Sequence, residues 1–165
     1  PGDARAGAKG EGRLHGNFRG YSTQPGCDLV ALGGSSSGRM GATYSQNAKT
    51  LPEYYDALRQ GQFPIVRGLT LTRDDLVRRA VIMALMCQGR VEFESIELAH
   101  LVRMKDYFAQ ELAALQPMVE GGLVEVSDDS IQVTATGWFF VRGVAMTFDK
   151  NLQADKVRER FSRII

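Results

Sequence analysis

The sequence predicts an α+β fold, mainly helical, whose second half forms a helical, winged-helix-like domain with one β-hairpin. Three observations carry this. Beyond residue 50, apolar residues recur at helical spacing in segment after segment. Two short alternating runs, Leu123-Val124-Glu125-Val126 and Ser130-Ile131-Gln132-Val133, flank Ser127-Asp128-Asp129 in the manner of a hairpin. Helices, hairpin and a closing helix then follow in winged-helix order.

The first part of the chain is different. Eleven of the 18 glycines fall in the first 45 residues. That segment has too few apolar residues for a core of its own. It reads as irregular chain plus one short strand, 28–32, which enters a glycine-rich loop and needs a neighbouring sheet. Thr50-Leu51-Pro52-Glu53 is a capping-box pattern with proline in the first turn, so a helix is expected to about residue 60, stopped by Gly61. Residues 65–69 read as extended. Thr72-Arg73-Asp74-Asp75 is a second cap and opens the strongest helix. Leu76, Ala80, Met83, Ala84 and Cys87 share one face of it, widened by Val77, Val81 and Leu85, and Gly89 ends it. Residues 94–102 read as a short helix. Residues 106–120 read as a longer one that buries Phe108, Leu112 and Leu115, with its last turn bent at Pro117. After the hairpin, 137–151 returns to helix, with Trp138, Phe139, Val141, Val144, Ala145 and Phe148 mostly inward.

Composition excludes several classes of function. With 165 residues the chain can bury one good core, or one core plus a fragment of another. Twenty basic against 19 acidic residues gives a net charge of +1, which supplies no attraction for nucleic acid or an anionic membrane. No apolar run approaches the roughly 20 residues of a membrane helix, and residues 1–13 lack an apolar signal core. The chain starts at Pro1, as a piece of a longer protein would. Cys27 and Cys87 lie far apart in apolar surroundings, which favours neither a disulfide nor a metal site and suits a reducing cytoplasm.

The loop in LVALGGSSSGRMGATY, 29–44, invites a phosphate-binding interpretation. Gly33 and Gly38 stand at Walker A separation, but Arg39 replaces the lysine and Met40 the magnesium-binding hydroxyl. What remains is either a tight turn permitted by Gly33, Gly34, Gly38 and Gly41, or a bare backbone at a strand's end that approaches a ligand. Arg13, His15 and Arg19 suit a carboxylate ligand or an ordinary charged surface loop. His100 is read as a partly buried structural histidine. Asp74 and Asp75 are read as helix-start charges, and Arg78 and Arg79 as the solvated outer face of that helix. Tyr44, Ser45, Gln46 and Asn47 suit hydrogen bonds to a loop or to a ligand alike.

Taken in order, GRLHGNF-RGY, the glycine loop, YSQN, RGL-LTRDD and the closing FSR-I resemble the carboxy-terminal part of the bacterial oxygen-independent coproporphyrinogen III oxidases, a radical S-adenosylmethionine (SAM) family of haem synthesis. The likeness spreads over essentially the whole chain. It implies that 1–62 is the tail of a radical SAM partial (β/α) barrel, with its last strand, glycine loop and helix, and that 63–165 is a helical carboxy-terminal domain covering the substrate. In the parent, a 4Fe–4S cluster held by a CxxxCxxC motif and SAM generate a radical that abstracts hydrogen from a propionate. Two propionates of coproporphyrinogen III then leave as CO₂ and become vinyls, giving protoporphyrinogen IX.

CxxxCxxC is absent here, so the resemblance implies an enzyme only as the full-length parent, completed by an amino-terminal barrel. No catalytic residue or metal ligand is expected in this segment, no cofactor is expected to bind it alone, and it is expected to be inactive by itself. By alignment with the family, Ser37 falls at a SAM contact that is usually apolar, and Gly33, Gly34 and Gly38 share that loop. Arg13, His15 and Arg19 are the candidates for substrate carboxylates. The chain departs from the family at Ala42, Gln88-Gly89, Trp138 and Ala145 as well. A monomeric cytoplasmic protein without nucleic-acid or membrane partners is expected. Two alternatives are a diverged haem-related or protein-interaction domain and a winged-helix nucleic-acid module, the latter opposed by the near-zero charge.

Overall fold

The computed structural model describes residues 27–150 and, before them, the backbone of two short strands, β1 (His15–Asn17) and β2 (Gly20–Ser22), paired antiparallel. The side chains of Arg13, His15 and Arg19 lie outside the described residues. From there the chain divides into two compact units, one covering Gly26–Leu76 and one running on from Val77.

The first unit is a three-stranded antiparallel sheet with one helix. Strand β3 (Ser37–Met40) turns through Gly41 and Ala42 into β4 (Thr43–Asn47), with Met40 opposite Thr43 and Ser37 opposite Gln46. Gly41 takes φ +55°, a left-handed value that glycine reaches without strain in so short a hairpin. Helix α1 (Leu51–Arg59) follows, and β5 (Ile65–Thr70) returns along the other side of β4, with Thr70 opposite Thr43. The extended stretch expected at 65–69 is therefore the edge strand of this sheet. The strand expected at 28–32 is not formed. Leu29 makes a single bridge to Arg39, its N–H donating to the Arg39 carbonyl at 2.7 Å and its carbonyl accepting from the Arg39 N–H at 2.8 Å. The regular strand lies after the glycines rather than before them.

The second unit is built on α2 (Arg73–Gln88), whose first residues belong to the first unit. Its start is the expected capping box. The Asp75 N–H donates to Thr72 Oγ1 at 3.2 Å, and the Thr72 N–H donates to Asp75 Oδ2 at 2.9 Å. Its buried stripe is Val77, Val81, Leu85 and Cys87, so the residues expected to widen the face are its centre. Gly89, at φ +69°, ends the helix beneath the Trp138 ring. Next come β6 (Arg90–Glu92) and α3 (Phe93–His100).

The helix expected at 106–120 is three short ones: α4 (Met104–Tyr107), α5 (Ala109–Ala114) and α6 (Gln116–Glu120). Pro117, in the first turn of α6, cannot donate to residue 113 and ends α5 rather than merely bending it. The hairpin forms as expected from β7 (Val124–Val126) and β8 (Ser130–Val133), but β8 also pairs with β6, giving the order β6-β8-β7.

The segment after the hairpin is a 3-10 turn, Gly137–Phe140, leading into α7 (Val141–Met146). Phe139 does not face inward; it is 88% exposed, while Val144, Ala145 and Phe148 are buried. The tighter pitch of the turn moves Phe139 off the helical face on which it was counted. One apolar core joins α2, α3, the short helices and the sheet, with Phe108, Phe148, Leu85, Met104 and Leu115 fully buried within it. Arg78 is not on a solvated outer face. Its guanidinium lies 2.7 Å from Glu111, over the Phe108 ring, and donates to the Phe148 carbonyl at 3.2 Å.

Candidate functional site

The glycine-rich loop is held in place by side chains far along the chain. Gly33 takes φ +92° and Ser35 takes φ +57°, so the loop passes twice through the left-handed region within three residues. Asn47, 2% exposed at the end of β4, spans this bend. Its Nδ2 donates to the Gly33 carbonyl at 3.0 Å and to the Ala31 carbonyl at 3.2 Å, and its backbone N–H donates to the Ser36 carbonyl at 2.9 Å. The Ser35 N–H donates to the Ala48 carbonyl at 2.7 Å. From α1, Tyr54 presents its hydroxyl to the Gly33 N–H at 3.0 Å. Ser36, buried, donates its own hydroxyl to the Leu32 carbonyl at 2.5 Å.

Each candidate residue has a definite place in this frame. Gly38 is a packing glycine: a Cβ there would stand 2.9 Å from the Leu29 carbonyl and 3.0 Å from Ser45 Oγ. At Gly34 an added Cβ would come into ordinary contact with the Ala48 carbonyl at 3.6 Å and the Leu51 side chain at 3.8 Å, and at Gly33 with Ser36 Oγ at 3.7 Å, so both glycines pack against the unit's own atoms without crowding. Ser37, half-buried, starts β3. Arg39, at the Walker lysine position, donates instead to the Cys27 carbonyl at 2.6 Å, and Met40 beside it is 64% exposed. Neither serves a phosphate. Of the polar run before α1, Asn47 is the loop-binding residue, a role the sequence left open between loop and ligand. Only its burial sets it apart, as the one buried residue closing an otherwise half-exposed strand.

The second unit offers different chemistry. A shallow groove of about 540 Å³ is lined by Phe93, Lys105, Leu112, Val126 and Asp128, and the Lys105–Asp128 ion pair at 2.6 Å crosses it. Beside it, the Ser127 and Ser130 hydroxyls donate to Asp129 and hold its carboxyl below the ordinary value. Among the described residues no three His, Cys, Asp or Glu side chains converge as metal ligands, and no disulfide joins Cys27, exposed, to Cys87, buried. No described helix is long and apolar enough to cross a membrane.

A sheet whose loop is braced from a neighbouring helix, followed by a helical unit with a three-stranded sheet, has counterparts of known class. Residues 71–140 match the HemN C-terminal domain. Over 165 residues the chain is 42% identical to the oxygen-independent coproporphyrinogen III oxidase of Salmonella typhimurium, covering all of this chain and 36% of that protein. The enzyme of the same name from Escherichia coli is 41% identical over the same span, and that from Synechocystis is 40% identical over 169 residues.

A solved structure, described as "Coproporphyrinogen III oxidase (HemN) from Escherichia coli is a Radical SAM enzyme", superposes with a TM-score of 0.87 at 42% identity, over 92% of this chain and 35% of that one. The chain thus spans about a third of the length of the relatives it matches. The expected resemblance to the carboxy-terminal part of these oxidases holds from one end of the chain to the other.

Proposed function

We propose that the chain is the carboxy-terminal part of an oxygen-independent coproporphyrinogen III oxidase, which converts two propionates of coproporphyrinogen III to vinyls in haem biosynthesis. The observation that carries this is the 42% identity over all 165 residues of this chain joined to a TM-score of 0.87. In this reading residues 1–62 complete a radical SAM partial barrel, and 63–165 form a winged-helix-like domain that covers the substrate. The strand order β6-β8-β7 between α2 and the closing helix supports the winged-helix description. Exposed apolar side chains of the first unit, among them Leu51 and Leu58 on α1 and Ile65, Val66 and Leu69 on β5, support its completion by an amino-terminal barrel.

The 4Fe–4S cluster does not fit this chain's residues, which include only two cysteines. SAM, which supplies the radical when bound in the parent, fits the loop. Gly33 and Gly34 put no side chain on the loop, and Ser37, small and half-buried, is the side chain it would offer a nucleoside. Gly38 lets the loop close behind them. Arg13, His15 and Arg19 supply cations for substrate propionates. The second unit excludes water from the reacting propionate.

Asp128 and Asp129 at the hairpin tip would repel phosphate, which supports a protein without nucleic-acid partners. The parent is proposed as a cytoplasmic monomer, and this segment as inactive alone. The test is to replace the matching third of the Escherichia coli relative with these 165 residues and to assay protoporphyrinogen formation without oxygen. Turnover supports the proposal. A folded, cluster-loaded chimera that leaves coproporphyrinogen untouched overturns it.

A further inference from the structure

We infer that Asn47 is a positioning residue for cofactor binding, with Tyr54 as its lesser partner. Together they hold the glycine loop in the conformation that sets Ser37 at the start of β3. This rests on the proposed placement of that loop against SAM. The inference comes from where the hydrogen bonds go. A loop that enters the left-handed region at both Gly33 and Ser35 has no regular ladder to satisfy its peptide groups. Asn47 satisfies three of its carbonyls, those of Ala31, Gly33 and Ser36, from one buried site. Tyr54 takes the Gly33 N–H from the opposite element. The Gly33 peptide is therefore gripped at both its N–H and its C=O.

Aspartate at position 47 keeps the shape but turns two donors into acceptors that face carbonyls. Tyr54→Phe removes the hydroxyl that accepts from the Gly33 N–H and keeps the ring. Neither residue is assigned contact with the ligand, so both act through the loop.

The test has two arms. In the full 165-residue chain, hydrogen exchange followed by mass spectrometry compares wild type, Asn47→Asp and Tyr54→Phe. Faster exchange confined to the peptides covering 31–37 is expected, with the α2 and β8 peptides unchanged. In the chimera, equilibrium binding of SAM is expected to weaken about tenfold for Asn47→Asp and about threefold for Tyr54→Phe, as loss of two or one modest hydrogen bonds implies. The KM for coproporphyrinogen should be unaltered, and Asn47→Gln should recover part of the SAM affinity.

Ser37→Phe, which crowds the loop face directly, separates the two layers of the inference. If Ser37→Phe weakens SAM binding and Asn47→Asp does not, Asn47 has no positioning role while the loop placement stands. If neither changes SAM binding, the loop placement itself fails. Equal losses of SAM and substrate affinity, with accelerated exchange throughout the first unit, would reduce Asn47 to a structural residue.

Discussion

Arg78 on α2 and Glu111 on α5 form a buried ion pair, 2.7 Å apart, with side chains only 16% and 7% exposed. Arg78 also donates to the Phe148 carbonyl and lies over the Phe108 ring, which meets Phe148 edge-on at 5.3 Å. The pair thus ties α2, the short helices and the turn after α7 together. Removing one partner leaves the other charge desolvated, so Glu111→Ala should destabilise the chain by about 3 kcal/mol. An apolar pair of similar volume, Arg78→Met with Glu111→Leu, should recover most of that loss. Urea unfolding of the single and the double variant beside wild type measures both effects.

Two glycines in the second unit make opposite demands. A Cβ on Gly137 would overlap the Leu123 carbonyl, a backbone atom that cannot swing away. Gly137→Ala should therefore cost about 3 kcal/mol or more through forced displacement of β7. Gly122 takes φ +68° with nothing near its missing Cβ, so Gly122→Ala meets only backbone strain, about 1 kcal/mol. Thermal unfolding should rank the two in that order, and equal losses would remove the distinction between close approach and positive φ.

The two capping patterns read alike in sequence but differ in space. Thr72 and Asp75 exchange bonds with each other's backbone N–H. Thr50 makes no side-chain bond to a helix N–H; its hydroxyl donates to Glu53 at 2.7 Å on the exposed surface. Thr72→Ala should thus cost about 1 kcal/mol, and Thr50→Ala a few tenths at most. Urea midpoints of the two single variants decide this.

Local signals were legible and long-range ones were not. The caps at Thr72, the stops at Gly61 and Gly89 and the hairpin around residues 127–129 all follow from neighbours in sequence. Strand β6 did not show itself, because three residues, Arg90–Glu92, become a strand only through pairing with β8 some 40 residues on. Strands β3 and β4 were hidden for the same reason, being short and largely polar, and of that sheet only β5 showed as an extended stretch. The burial of Arg78 was equally invisible, since its partner Glu111 lies on another helix. At the candidate site the glycines marked the loop, but its supporting side chains, Asn47 and Tyr54, carried no local signature. The strand was expected before the glycines because 28–32 is the more apolar side. The ladder forms on the other side, where β3 can fold back on β4.

Asp129 gives the hairpin a dependence on acid. Hydrogen bonds from Ser127 first, at 2.6 Å, and Ser130 second, at 3.1 Å, favour its ionised form and lower its pKa on folding. A group whose folded pKa is depressed stabilises the fold above its ordinary value, near 4, and loses that contribution as pH falls through the lowered value. Ser127→Ala should flatten this acid limb, as should Asp129→Asn, and neither should alter the slope above neutrality. Urea midpoints collected from about pH 2 to about pH 9 reveal it.

Reconstitution with iron and sulfide asks whether the cluster chemistry lies outside these residues. A 4Fe–4S cluster takes thiolates that converge on one cubane. The chain offers Cys27, exposed in the first unit, and Cys87, 2% exposed within the core stripe of α2. Cys87 would have to leave that stripe to reach a cluster, opening a cavity beside Leu85 and Val81. Anaerobic incubation of the 165-residue chain with ferrous iron and sulfide should therefore leave no cluster absorbance after desalting, and Cys27→Ala and Cys87→Ala should behave as the parent chain does. On the proposed function, the chimera with the Escherichia coli relative, treated in the same way, should develop the absorbance, its ligands supplied by the remainder of that relative. A cluster in the isolated chain that either cysteine substitution abolishes would mean that these residues bind iron themselves.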